Sequence, residues 1–171
     1  GIEASLRRLS HYDYWSDSIK PSILADSGAD LLIYGMAELP LIDLVKKLKS
    51  KQKLTEITDL PQTAFISNSV PVNNKFSDAT IYPHKEQIND RKKFALSFKV
   101  IEEESNKMDS KRIIEPFEDK FVVVNPPYPL ISEKQLDEIY DLPFTRLPHP
   151  KYNDKGQIPA YEMIRHSINI H

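Results

Sequence analysis

Asp30-Leu-Leu-Ile-Tyr-Gly-Met-Ala-Glu-Leu-Pro-Leu-Ile-Asp-Leu-Val-Lys-Lys-Leu-Lys49 is the stretch that decides the fold. Its first five residues form a short apolar run bounded by Gly28 and Gly35, the pattern expected of a buried, central parallel strand. Glu38-Leu39-Pro40 then opens a helix with proline near its first position. Leu41, Leu44, Val45 and Leu48 recur at i, i+3, i+4 and i+7, so they share one face, which is expected to pack on the sheet. Lys46, Lys47 and Lys49 crowd the last turns, where cations meet the negative end of the helix dipole and need no ligand to explain them. Thr63-Ala-Phe-Ile-Ser67 supplies the next strand, and the resulting strand–helix–strand alternation points to α/β architecture.

Working outward, residues from about 3 to 27 read as helical in two pieces. Leu6 and Leu9 stand beside Arg7 and Arg8, Pro21 opens the second piece and Ser27-Gly28 ends it. From about Pro83 to Asn106, Ile88, Ala95, Phe98 and Ile101 fall at helical spacing in a charged background, predicting one long amphipathic helix. Ile113-Ile114 and Phe121-Val-Val-Val124 are β-branched runs separated by Glu118-Asp119, which fits a hairpin. Asn125-Pro-Pro-Tyr-Pro129 is a rigid connector, because its prolines lack donors and restrict the backbone. Ser132 followed by Gln135 makes a capping box, with Ile131 and Leu136 placed as a hydrophobic staple. That helix should stop near Tyr140, since Pro143 lies just beyond.

The expected fold is therefore α/β. A small, mostly parallel sheet from residues 30–34, 63–67 and 121–124 is flanked by helices at about 39–50, 84–106 and 132–140, with a further strand at 164–170. Residues 1–142 form the domain, 143–159 a proline-rich linker and 160–171 the start of something further. The sheet is expected to expose an edge, which invites self-association.

Composition narrows the chemistry. The 171 residues carry 23 Lys+Arg against 25 Asp+Glu, a formal charge of −2 that gives no electrostatic footprint for nucleic acid or an anionic membrane. There is no Cys, so disulfides, cysteine nucleophiles and thiolate metal sites are excluded within these residues. No apolar run approaches the roughly 20 residues that cross a bilayer, and a cytoplasmic setting is the expectation. The basic run Arg91-Lys92-Lys93 is balanced by Glu102-Glu103-Glu104 further along the helix and reads as a solvated face.

Three strings carry a resemblance: Gly1-Ile-Glu-Ala-Ser-Leu-Arg-Arg-Leu-Ser-His-Tyr-Asp-Tyr-Trp-Ser-Asp17, Val124-Asn-Pro-Pro127 and Ile158-Pro-Ala-Tyr-Glu-Met-Ile-Arg-His-Ser-Ile-Asn-Ile-His171. Together they resemble the YgiQ-type branch of the radical-SAM proteins. The resemblance implies an incomplete N-terminal α/β domain similar to the cobalamin-binding type, leading into a barrel whose [4Fe–4S] cluster sits on a Cys-x3-Cys-x2-Cys loop beyond His171. It implies an intact enzyme that cleaves S-adenosylmethionine reductively to a 5'-deoxyadenosyl radical. On that map these residues bind no cofactor themselves and are inactive alone; they cover the active site and help to select an unknown substrate, with the missing barrel of the same polypeptide as partner.

Tyr34-Gly-Met-Ala-Glu38 takes the place of the Gly-x-Gly-Glu turn of cobalamin-type relatives, but Ala37 replaces the second Gly and weakens the case for close approach of a ligand. No Asp-x-His-x-x-Gly occurs, so cobalamin is not expected.

The substrate-facing or interdomain candidates are Glu38, His149, Tyr161, Arg165 and His166. Each has a plainer reading. His149, between prolines, is more simply a loop cap, and Glu162 with Arg165 is a surface pair if that segment is helical. His166 and His171 match no helical ligand spacing, so no metal site is expected. Arg7, Arg8 and His11 read as a solvated helix face rather than an anion site. Tyr12, Tyr14 and Trp15 read as contact surface toward the barrel. A second class of function also fits: a non-catalytic interaction module docking through the aromatic N-terminal helix and the proline-rich segment 125–150.

Overall fold

The computed structural model describes residues 2–72, 75–145 and 147–166. These gather into two compact units, Gly1–Ser132 and Glu133–His171. The first holds helix α1 (Ile2–Leu6), a hairpin of β1 (His11–Asp13) and β2 (Ser18–Lys20), helix α2 (Ile23–Ser27), β3 (Leu32–Ile33), α3 (Glu38–Lys49), β4 (Thr63–Ser67), β5 (Asp78–Thr80), α4 (His84–Asn89), α5 (Arg91–Ser105), β6 (Arg112–Phe117) and β7 (Lys120–Val124). The second holds α6 (Glu133–Tyr140) and α7 (Pro159–Ile164).

Five strands form one sheet in the order β3-β4-β7-β6-β5. The expectation of a mostly parallel sheet is corrected here, because among the described strands only β5 and β6 run parallel. The connections explain it. The Glu118-Asp119 turn joins β6 to β7 directly, and a tight turn returns the chain antiparallel. Helices α4 and α5 form the long crossover that a parallel β5/β6 pair requires. Between β3 and β4, residues 50–62 follow α3 and give the chain enough length to turn back. Residues 30–34 are thus not a central parallel strand: β3 is a two-residue antiparallel edge. Both edges of the sheet, β3 and β5, are short, a form that blunts edge-to-edge pairing.

The core follows from strand alternation. Ala64, Ile113, Val122 and Val124 pack with Leu9, Leu24, Leu32 and Ile81, and Val100 and Ile101 of α5 close over them. On the register, Phe65, Ile114 and Val123 point to the opposite face and are buried too. Full burial of each such aliphatic side chain contributes about 1.5–3 kcal/mol.

Three more expectations change. The segment 84–106 is two helices, because Asp90 leaves helical geometry at φ −141° and its carboxylate accepts from the amides of Lys92 (2.9 Å) and Lys93 (3.4 Å), capping α5. The aromatic stretch 11–20 is a hairpin rather than helix: Asp13 accepts from the Trp15 amide (3.2 Å) and the Ser16 hydroxyl (2.5 Å), and Asp17 takes φ 46°. Residues 159–164 are helical, with Pro159 at the first turn. The strand expected over 164–170 therefore does not include Ile164, Arg165 and His166 are in a turn, and the rest lies outside the described residues.

Candidate functional site

The turn after β3 is the position where a ligand-binding α/β domain would present its backbone. Gly35 has φ 66°, and a Cβ there would lie 3.3 Å from Gln62 Nε2. Gln62 is buried, itself at φ 59°, and fills the concavity of the turn. Its Nε2 donates to the carbonyls of Tyr34 (2.7 Å) and Met36, and its Oε1 accepts from the Tyr128 amide (3.3 Å). Its backbone NH donates to the Pro126 carbonyl (2.7 Å), while Tyr34 N donates back to the Gln62 carbonyl (3.2 Å). The Gly35 amide donates to Ser5 Oγ (3.1 Å). One glutamine thus joins the turn to the 125–129 connector, engaging the carbonyls of Tyr34 and Met36.

Beside the turn, the Tyr34 hydroxyl donates to the Asn125 carbonyl (2.5 Å), and the Arg8 guanidinium lies 4.8 Å from the Tyr34 ring centre. Burial pushes the Tyr34 phenol up to about 12, with Arg8 pulling the other way. The recess lined by Arg8, Tyr34, Ser110, Asn125 and Pro127 has a volume of about 20 Å³, the scale of one water and far below a metabolite. Arg7 pairs with Glu3 (3.0 Å) and Asp26, whereas Arg8 donates from Nη1 to the Ser5 carbonyl and keeps a buried Nε without a partner among the described residues.

A second cluster lies in the core. Glu115 of β6 is fully buried; Oε2 accepts from the Ser10 amide (2.9 Å) and Oε1 from Gln87 Nε2 (2.7 Å). Burial pushes its carboxyl up to about 7, against these hydrogen bonds. Ser10 Oγ lies 2.7 Å from His84 Nδ1, and burial lowers the His84 pKa. Ser, His and Glu are present, but the carboxylate holds the serine's backbone rather than the imidazole, and Ser10 is only 6 % exposed. The cluster is a structural tie, since a nucleophilic triad needs the acid on the base and the hydroxyl open to substrate.

Among the residues singled out from sequence, Glu38 opens α3, where its carboxylate meets the positive end of the helix dipole. His149 caps the short 3₁₀ turn Pro150–Tyr152, its Nδ1 accepting from the Lys151 amide (3.1 Å). Tyr161 is half-buried on α7. Arg165 Nη1 lies 3.1 Å from Glu162 Oε2, and its Nε donates to His166 Nε2 (3.0 Å). Arg165 and His166 are therefore brought together; Glu38 belongs to the other unit. Sequence reasoning missed Gln62 and Glu115. A glutamate inside the run Ile113-Ile114-Glu115 was a legible signal, whereas nothing in the sequence marks Gln62.

No group of three or more His, Cys, Asp or Glu side chains among the described residues is arranged to hold a metal, and the chain has no thiolate. A cysteine-ligated cluster does not fit the donors present.

Fold and site together define an α/β domain whose strand-end turn is filled by a glutamine side chain. The radical SAM N-terminal family model matches residues 1–167, and the chain belongs to that family. It is similar to a UPF0313 protein of Bacteroides thetaiotaomicron, 51% identical over 99% of this chain and 29% of the relative. A UPF0313 protein of Porphyromonas gingivalis is 47% identical over 100% of this chain and 27% of its own length. One from Clostridium botulinum is 38% identical over 100% and 26%. The chain thus spans little more than a quarter of the relatives it matches. No solved structure matches it.

Proposed function

We propose that this domain is the N-terminal accessory part of a radical-SAM enzyme of the YgiQ type, and that in the intact protein it covers the active site and contributes to substrate selection. The observation that carries the reading is the family match over residues 1–167 in a chain with no cluster ligands of its own. Residues 1–142 serve as the accessory domain, 143–159 as a linker, and 160–171 lead into the barrel. The [4Fe–4S] cluster and S-adenosylmethionine belong to that barrel, and the reducing cytoplasm is the setting that suits them. Cobalamin has no part, a reading supported by Ala37 and by the engagement of the 34–38 turn with Gln62. Tyr161, Arg165 and His166, with Glu38 and His149, are the candidates for substrate or interdomain contact.

The test is anaerobic reconstitution of the intact protein with iron and sulfide, followed by assay of 5'-deoxyadenosine formed from S-adenosylmethionine and dithionite. Cluster absorbance with product formation supports the reading. A folded intact protein showing neither overturns it and leaves a non-catalytic interaction module, for which the exposed tip of the β1–β2 hairpin speaks: Trp15 is 93 % and Tyr14 77 % exposed.

A further inference from the structure

Helix α3 turns Leu39, Pro40 and Leu44 toward the body but carries a second apolar face that does not pack on it. The residues that hold it to the body include a polar pair: Asp43 Oδ2 accepts from the Tyr128 hydroxyl (2.7 Å), and Lys47 Nζ donates to Asp59 Oδ1 (3.2 Å). Pro40 is buried beside them. Of the four side chains expected to pack on the sheet, Leu44 is half-buried, but Leu41 (51 % exposed), Val45 (41 %) and Leu48 (43 %) meet solvent, as does Ile42 (43 %) beside them. Positions 41, 45 and 48 follow the i, i+4, i+7 line, so they form one continuous stripe with Ile42 at its flank. Contiguous exposed aliphatic surface of this kind marks a docking site.

We propose that this stripe is the surface on which the remainder of the intact polypeptide packs. The proposal rests on the reading of the chain as an accessory domain and names the face that reading leaves open. Relatives that align with 99–100% of this chain have about 70% of their length outside the matched part, so a large tethered partner would accompany the domain. Tethering raises its effective concentration to the millimolar range, ahead of a second copy in solution. The helix has no Trp, Tyr or Phe, the aromatic residues enriched at membrane interfaces. The stripe itself carries no charged side chain, in keeping with the charge-depleted core of an interface.

The experiment is site-specific photocrosslinking in the intact protein, with benzoylphenylalanine placed at position 48 and, as a control off the stripe, at the exposed Lys99 of α5. The expected result is an intramolecular crosslink from position 48, mapped by mass spectrometry to residues beyond His171 and absent from position 99. Crosslinks from position 48 that join two copies, that stay within these 171 residues, or that do not form, overturn the proposal. So does retention of the intact protein on anionic vesicles that is lost with Val45→Glu/Leu48→Glu. The outcome is separable from the reaction: a crosslinked protein without cluster or deoxyadenosine sinks the enzyme reading alone, and an active protein without the crosslink sinks only this one.

Discussion

Arg112 and Asp78 are register partners on the one parallel strand pair of the described sheet, and they join as a fork: Nε to Oδ1 and Nη2 to Oδ2, each at 2.8 Å. The guanidinium is 1 % exposed while the carboxylate is 39 % exposed, so a buried cation depends on a half-exposed anion. Asp78→Ala leaves that cation uncompensated. The expected loss is about 2–4 kcal/mol, below the full buried-pair value because Asp78 is partly solvated. Urea unfolding at neutral pH checks it; a loss under half a kcal/mol would mean that solvent already neutralises Arg112.

Glu115 makes stability fall as pH rises. Its carboxyl is pushed from 4.5 up to about 7 in the folded chain, so the folded state holds the proton more tightly than the unfolded one. Its stabilisation is complete below about pH 4.5 and is lost as pH climbs through 7, with a magnitude of about 3 kcal/mol. His84, lowered by burial, works oppositely: its contribution is lost as pH falls through the same region. Comparing wild type with Glu115→Gln between pH 5 and 8 separates the two. The variant should lose the decline toward pH 8 and keep only the opposite slope from His84; an unchanged decline would refute the assignment.

Gly35→Ala puts a methyl group 3.3 Å from Gln62 Nε2 in a left-handed backbone. The expected cost is about 1–2 kcal/mol. Gln62→Ala frees the space but leaves the carbonyls of Tyr34 and Met36 without their donor, at about 1–3 kcal/mol. The double variant should cost less than the sum of the two, because the clash disappears with the side chain. Thermal melts of all three decide it.

Arg165→Ala removes only an exposed pair with Glu162 and a contact to His166. The 171-residue chain should therefore melt within about 0.5 kcal/mol of wild type. In the intact protein the same change should reduce deoxyadenosine formation if α7 meets the barrel as proposed. Equal activity would remove Arg165 from the candidates.

Strong local signals were legible in the sequence. Helix α3 and strands β4 and β7 lie close to where periodicity and β-branched runs put them. The direction of the strands was not, because it depends on how far the chain travels between them rather than on the pattern within each. The break at Asp90 was hidden for a related reason: the apolar spacing runs through both helices, and only a side chain folding back on two amides reveals the boundary. The hairpin at 11–20 was masked because its turn is built by Asp13 and Asp17 without a glycine. The outward stripe of α3 could not be read at all, since an amphipathic pattern says which face is apolar and not what that face meets. At the site, only the side-chain contacts reveal how Gln62 closes the turn.

Strand β4 pairs on one side with the two-residue β3 and on the other with β7, whose residues come more than fifty positions later. During synthesis at about 5–20 residues per second, β4 therefore waits several seconds outside the ribosome for the neighbour that completes its ladder. Over that interval Ala64, Phe65 and Ile66 lie on an unsatisfied template, open to chaperones and to other nascent chains. The yield of soluble protein from this gene should thus respond to the speed of translation across codons 68–120 more than to changes in the tail that follows.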